Sequence, residues 1–331
     1  MRIALAHNLR AIHDGTQVSF TSPRTRDRLV EVIGGLGHEV VPIEVSGPLP
    51  QVVAALLECR PDLVFNLAEG RSDGARQPFF TGLYQQLGLP FTGSGPRAQA
   101  VALDKHLTKL TVADRGVPVP PGQFVRDPAE LDLDRLVLPA MVKPNFEATS
   151  RGITQDSVVS TVADARKRVA ERLAEFPAGV LVEEYVPGRD LTLPYLAAVD
   201  NAWGGVLDVT EALISGGTGY PLLDYAVKNL HNPELARVQF RTPARLTDDL
   251  AARVRALTRT AVRAVGCDDI ARVDFRLRDD GALYLLEVNA LPNLAPQLNI
   301  HDAARLAGLD PTDGVVRAII ESASRRQGLS R

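Results

Sequence analysis

Cysteine is almost absent from this chain. Its two cysteines, Cys59 and Cys267, lie far apart and match no metal-ligand spacing. Neither a disulfide framework nor a thiolate metal centre is expected, and buried thiols in a reducing compartment are the simpler reading. Long apolar runs are missing as well. MRIALAHNLR opens with too short an apolar stretch for a secretory signal, and nothing approaches the roughly 18 apolar residues of a membrane span. A cytoplasmic protein with no membrane partner is therefore expected. The chain also lacks a dominant charge: its formal net charge of −3 carries no polyelectrolyte signature and argues against nucleic acid as a partner. Lysine is scarce. Only 5 lysines (105, 109, 143, 167 and 228) stand against 32 arginines. The bias fits a GC-rich genome, and it singles out each lysine that is kept.

At 331 residues and 45% hydrophobic content the chain has ordinary globular composition but exceeds a single core, so two or three subdomains are expected. The first hundred residues alternate strand and helix. IALAH (3–7), EVVPIEV (39–45) and DLVFNLAEG (62–70) read as strands. Ser22-Pro23 reads as an N-cap with proline at the first helical position, opening a helix to about Gly34-Gly35, and QVVAALLECR (51–60) reads as a second helix. This order implies right-handed crossovers and a parallel sheet, with ligands beyond the strand C-termini. The loop AEGRSDGARQP (68–78) lies there, which makes Glu69, Arg71 and Arg76 substrate candidates. Further on, one helix is expected from near Ala98 through ALDKHLTKLTVADRG, then a proline-rich connector (117–125) and a strand ending at MVKPN. A charged helix (163–175), two extended segments around the turn of LVEEYVPGRDLTL, a helix at 248–265 and a C-terminal helix (312–325) complete the pattern.

RVDFRLRDDGALYLLEVNALPN (272–293) reads as a hairpin whose apolar pattern is interrupted by Asp274, Glu287 and Asn289. With period two, Arg272, Asp274 and Arg276 share one face of the first strand, and Leu283, Leu285, Glu287 and Asn289 share one face of the second. Asp280-Gly281 is a favoured two-residue turn. Centred there, it pairs Asp279 with Ala282, Asp274 with Glu287 and Arg272 with Asn289. Directly opposed carboxylates destabilise a sheet, so a positive charge must stand between them, either the neighbouring arginines or a hard divalent cation such as Mg²⁺. Lys143, at the end of an apolar strand and followed by FEATSRG with Thr149, Ser150 and Gly152, is a phosphate grip with a small-residue lid. LVEEYVPGRD reads as a strand whose backbone meets a base edge, with Asp190 accepting ribose hydroxyls.

Together these segments resemble the ATP-grasp superfamily, and within it the D-alanine–D-alanine ligase group. VFNLAEG, PFTGSGPRAQAVALDKHLTK, VKPNFEATSRG, LVEEYVPGRD, DYAVK and ARVDFRLRDDGALYLLEVNALPN follow that group's order and spacing along nearly the whole chain. The resemblance implies an α/β and α+β architecture. It comprises an N-terminal Rossmann-like parallel-sheet domain (1–97), a central ATP-grasp subdomain (98–189) and a C-terminal ATP-grasp subdomain with the metal site (190–331). It implies ATP and Mg²⁺, two ions for which Mn²⁺ could substitute, amino-acid substrates and a homodimer. Lys105 and Lys143 would hold phosphates. Glu183, Glu184, Val186 and Asp190 would line the nucleotide. Lys228 would reach the transferring phosphate, Asp274, Glu287 and Asn289 would bind the metal, and Arg272 and Ser150 would act at the reacting groups.

The departures concern the amino acids and not ATP. Where the group carries an early glutamate for the first substrate's ammonium, TQVSF offers Gln17. Where it carries EGSS, the lid reads EATS. After the metal strand, Asn293 replaces a glycine and Leu298 stands in the place of a carboxylate-binding serine; Gln297 and Asn299 are candidates for altered recognition. A site built for one polar group rejects others strongly. The expected activity is therefore an ADP-forming ligase that joins two amino acids, or an amino acid and an amine, through an acyl phosphate, with substrates other than two D-alanines. D-alanine–D-alanine ligation itself is the alternative, and a nucleotide-binding regulator without turnover is the second.

Overall fold

The computed structural model describes residues 1–12, 17–70, 76–216, 220–224 and 237–329. Among them the strands form three sheets. The first is parallel, in the order β2-β1-β3, from β1 (Arg2–His7), β2 (Glu39–Glu44) and β3 (Leu63–Leu67). Alternation decides what covers it. Ile3 and Leu5 meet Leu29, Val32 and Ile33 of α1 (Pro23–Gly35), whereas Ala4 and Ala6 face Val52 and Leu56 of α2 (Leu49–Cys59) and Phe80 and Tyr84 of α3 (Arg76–Gln86). A strand buried on both faces reads as an unbroken apolar run, and IALA is one. The cap is as expected: Ser22 Oγ accepts from Thr25 N at 3.1 Å.

One helix was expected from Ala98 onward, and two are found. α4 (Pro96–Leu103) stops at Asp104, whose backbone is extended and whose Oδ1 accepts from Leu107 N at 2.9 Å, starting α5 (Lys105–Ala113). Aspartate favours an N-cap over a helix interior because its carboxylate competes for backbone N–H groups. The break is anchored by Asn145, which donates to Asp104 Oδ1 at 2.7 Å and accepts from His106 N at 2.9 Å.

A second sheet, in the order β4-β7-β5-β6, holds β4 (Gly122–Val125), β5 (Ala140–Pro144), β6 (Val158–Val159) and β7 (Val180–Glu184). Ala165, Val169 and Leu173 of α6 (Val162–Glu175) cover it. The third sheet, in the order β10-β9-β8-β11-β12, holds β8 (Arg189–Leu196), β9 (Thr210–Ser215), β10 (Arg237–Arg241), β11 (Ile270–Leu277) and β12 (Leu283–Asn289). It shares its core with α4, α5 and α7 (Asp248–Val265). The segments β7 and β8 are nearly adjacent in sequence yet lie in different sheets, so Tyr185–Gly188 is the crossing between them. Finally α8 (Asn299–Leu306) and α9 (Gly314–Gln327) return to the first sheet, where Ile300, Val316 and Ile319 pack with Ile3 and Leu5.

The hairpin corrects two expectations. Gly281 N donates to Arg278 O, and Arg278 N donates to Ala282 O, both at 2.9 Å, so the loop is one residue longer than expected and Arg278, not Asp279, faces Ala282. Gly281 has φ +85°, the left-handed conformation that glycine adopts without strain. Phe275 accordingly pairs with Leu285. A bulge then follows, leaving Leu286 unpaired, and beyond it Asp274 does face Glu287 and Arg272 faces Asn289. The extra residue also reverses the alternation. Leu283, Leu285 and Val288 are all buried in the core, while Leu286 and Glu287 both line a cleft. The single face expected for Leu283, Leu285, Glu287 and Asn289 is therefore broken at the bulge.

Candidate active site

The cleft lies between the second and third sheets, with the crossing Tyr185–Gly188 at its back. Lys105, Lys143, Ser150, Glu183, Glu184, Val186, Asp190, Arg272, Asp274, Glu287 and Asn293 line it, together with Leu298 and Asn299. Residues from five separate sequence segments are thus brought to one surface. Glu69 and Arg76 are buried behind that surface: Arg76 Nη1 lies 3.7 Å from Glu147, which does line the cleft, and Glu69 accepts from Gln77 at 2.8 Å. Burial raises the Glu69 carboxyl above its usual range, with the Arg76 charge opposing. Gln17 is not on the cleft wall. Its Oε1 accepts from the backbone N–H groups of Ala11 and Ile12 at 2.8 and 2.9 Å. Gln297 is exposed outside the lining, and Lys228 and Arg71 lie outside the described residues.

At the metal-candidate end an arginine supplies the positive charge between the opposed acids. Arg272 Nη2 donates to Asp274 Oδ2 at 2.8 Å and to Glu287 Oε1 at 3.1 Å, and Thr192 Oγ1 donates to Asp274 Oδ1 at 2.9 Å. Burial opposes the Arg272 charge, but the two carboxylates more than offset it and raise its pKa. Lys105 Nζ stands 3.8 Å from Glu287 Oε2 and donates to the carbonyl of Glu147. Burial lowers the Lys105 pKa, with Glu287 opposing. Asn289 Oδ1 accepts from Leu291 N at 2.9 Å. Among the described residues no cluster of three His, Cys, Asp or Glu side chains forms a complete metal cage. Asn289 is not among the cleft-lining residues, but the two carboxylates that are, Asp274 and Glu287, suit Mg²⁺, which takes one or two carboxylates and completes its shell with water and phosphate oxygens.

Toward the back of the cleft Glu183 is the organising acid. Its Oε1 lies 2.6 Å from Lys143 Nζ and its Oε2 lies 3.1 Å from Lys109 Nζ. Burial pushes the Glu183 pKa up, but the two ammonium groups outweigh it and the net direction is down. Burial pushes Lys109 down to about 8, against the pull of Glu183. Lys109 also donates to Leu285 O at 3.0 Å, next to the bulge, so it braces the third sheet against the second. Sequence reasoning gave Lys109 no role; its scarcity as a lysine was the only signal. Arg276 was placed on the face of Asp274 but given no role of its own. The lid turns at Thr149 and Ser150, both with positive φ (55° and 60°), and Ser150 Oγ donates to Leu223 O at 2.7 Å.

Residues 113–321 match the family model described as D-ala D-ala ligase C-terminus. A D-alanine–D-alanine ligase of Gluconobacter oxydans is 34% identical across 85% of this chain and 87% of that protein. One from Granulibacter bethesdensis is 33% identical across 90% of this chain and 92% of its own length. Among solved structures, D-alanine–D-alanine ligase from Bacillus anthracis complexed with ATP superposes with a TM-score of 0.76 at 21% identity, covering 99% of both chains. That likeness extends the ATP-grasp architecture over the whole molecule.

Proposed function

The chain belongs to the D-alanine–D-alanine ligase family, an ATP-dependent ligase group of ATP-grasp fold, and on that premise we propose that it joins two D-alanine molecules at the cleft described above. The observation that carries the reading is the cleft's polarity. Arg272, Asp274, Glu287 and Lys105 are grouped by close contacts, and Asp190 lies further along β8 toward the crossing. A nucleoside triphosphate fits that layout with its base at the crossing and its phosphates at the charged end.

In the proposed reaction a carboxylate oxygen of the first substrate attacks the γ-phosphorus of ATP, and ADP leaves. The amine of the second substrate attacks the resulting acyl phosphate, losing a proton as phosphate departs and the amide forms. Phosphoryl transfer of this kind needs positioning and charge neutralisation more than a covalent nucleophile. Lys105 and Lys143 hold phosphate oxygens; Lys143 keeps two N–H donors beyond its bond to Glu183. Arg272 steadies the oxyanion that develops as the amine attacks the acyl group, and Ser150, carried on the lid, orients the transferring group with Lys228. Mg²⁺ held by Asp274, Glu287 and Asn289 would neutralise phosphate charge. The chain is divided into 1–97, 98–189 and 190–331, acts as a cytoplasmic homodimer and binds neither nucleic acid nor membrane; no described helix is long and apolar enough to cross one.

One observation favours a second reading, in which the acceptor is a different amino acid or amine. Leu298 presents an apolar, 36% exposed side chain to the cleft where a carboxylate of D-alanine would need a donor. The test is ADP release with ATP and Mg²⁺ against a panel of amino acids. Strong turnover with D-alanine alone supports the first reading. No turnover with D-alanine but clear turnover with another pair supports the second, and none with any pair would leave only a nucleotide sensor.

A further inference from the structure

Arg276 has no part in the chemistry just described, yet it is one of the most heavily bonded side chains in the cleft. It is 4% exposed and stands directly across the β11–β8 ladder from Asp190. Nη1 lies 2.6 Å from Asp190 Oδ2, Nε donates to Val186 O at 3.0 Å, and Nη2 donates to Tyr185 Oη at 3.2 Å and Pro221 O at 2.7 Å. A guanidinium offers five N–H donors in a rigid fork. Here that fork joins the crossing, the start of β8 and the loop 220–224. The far side of the same loop is tied to the second sheet, where Leu223 O accepts from Ser150 and Gln155 donates to Asp224 Oδ2 at 3.0 Å.

Two consequences follow for a ligand. Oδ2 of Asp190 is buried against Arg276, so Oδ1 is the oxygen left to the cleft. The Val186 carbonyl is already engaged, which holds the crossing in one conformation. Burial opposes the Arg276 charge, and Asp190 outweighs it. Removing either member of this buried pair leaves the other without its partner.

We propose that Arg276 is a positioning residue that makes this cleft selective for a nucleotide carrying an intact ribose diol. It does so by fixing the Asp190 carboxylate with one oxygen presented and by pinning the crossing beside it. The proposal rests on the reading of the cleft as a nucleotide site. A lysine cannot replace the fork, because one ammonium cannot reach four acceptors in three directions.

The experiment measures binding of ADP, 2′-deoxy-ADP and 3′-deoxy-ADP by calorimetry with Mg²⁺ and no amino acid, for the wild type, Arg276→Lys, Arg276→Met and Asp190→Asn. The wild type is expected to prefer ADP to at least one deoxy analogue by about 10-fold, the worth of one charged hydrogen bond. In each variant that preference collapses, because ADP weakens while the deoxy analogue scarcely changes. The double variant Arg276→Lys/Asp190→Asn adds nothing further. A merely structural arginine would weaken all three nucleotides equally and keep the ratio, which would overturn the proposal; so would a wild type that does not discriminate. Should Arg276→Met fail to fold, the lysine and Asp190→Asn variants decide. A wild type that binds no ADP removes the nucleotide reading itself, whereas ADP binding with an unchanged ratio in the variants removes only this inference.

Discussion

Glu183 Oε1 stands 2.6 Å from Lys143 Nζ, and both side chains are almost wholly buried. The acid sits on β7 and the base on β5, neighbouring strands of one sheet, and Lys109 reaches the same carboxylate from α5. Replacing Glu183 by glutamine leaves two buried cations without their counter-charge. Removing one partner of a buried pair costs about 3 kcal/mol. Denaturant unfolding of Glu183→Gln should lose stability on that scale, and an unchanged midpoint would contradict the paired state.

The same cluster sets a pH dependence. Lys109 titrates at about 8 in the folded protein, below the ordinary lysine value near 10.4. Between those values the unfolded chain binds more protons than the folded one, so this group makes stability rise with pH across that window. Below about pH 8 both states are protonated and the contribution is flat. Lys109→Met should lack this component of the rise when unfolding free energies are compared at pH 8 and pH 10.

The opposed pair Asp274–Glu287 yields a third expectation. Glu287→Ala should abolish Mg²⁺-dependent ADP release while near-native circular dichroism is retained, and chelation of the metal should do the same to the wild type. Neutralising both acids, as Asp274→Asn with Glu287→Gln, would stabilise the protein if they repelled one another unscreened. Arg272 already bridges them, so the double variant should instead lose about 1–3 kcal/mol through an unpaired, half-buried arginine. A gain in thermal stability would refute the bridge.

Gly188 ends the crossing with φ +133°, and a Cβ there would meet the Leu277 carbonyl oxygen at 2.1 Å. Neither the backbone angle nor that contact tolerates a side chain. Gly188→Ala should therefore cost about 2–4 kcal/mol. It should also weaken ADP binding more than an alanine placed at exposed Gly308, where no atom lies within 4 Å of the added Cβ.

Leu298 tests the substrate question. If two D-alanines are the substrates, Leu298→Ser adds a hydroxyl within the cleft and should lower the KM for D-alanine by about 10-fold with little change in kcat. No change, or a rise, would favour an acceptor recognised through apolar contact.

Much of this was readable in the chain because it depends on near neighbours in sequence. A short unbroken apolar run marked β1, period-two alternation marked β11, the Ser22-Pro23 dipeptide marked the start of α1, and the ordered motifs marked the family. Even the pairing of Asp274 with Glu287 was legible, though by two compensating differences. The turn is one residue longer than Asp280-Gly281 implied, and the bulge at Leu286 returns the register. Bulges leave no signature in apolar pattern alone, since Leu286 suits either face.

What the sequence determined by itself, then, is the order of elements and the inventory of charged groups, because capping, turn and alternation preferences act over a few residues. The tertiary structure decided which charge meets which. It set Arg272 between the two acids, gave Glu183 to two lysines, and folded Arg276 onto the crossing, Asp190 and the loop 220–224. Apart from the local Arg272–Asp274 contact, those pairings join groups 15 to 90 residues apart. Only burial, which makes an unpaired charge too costly to keep, selects them.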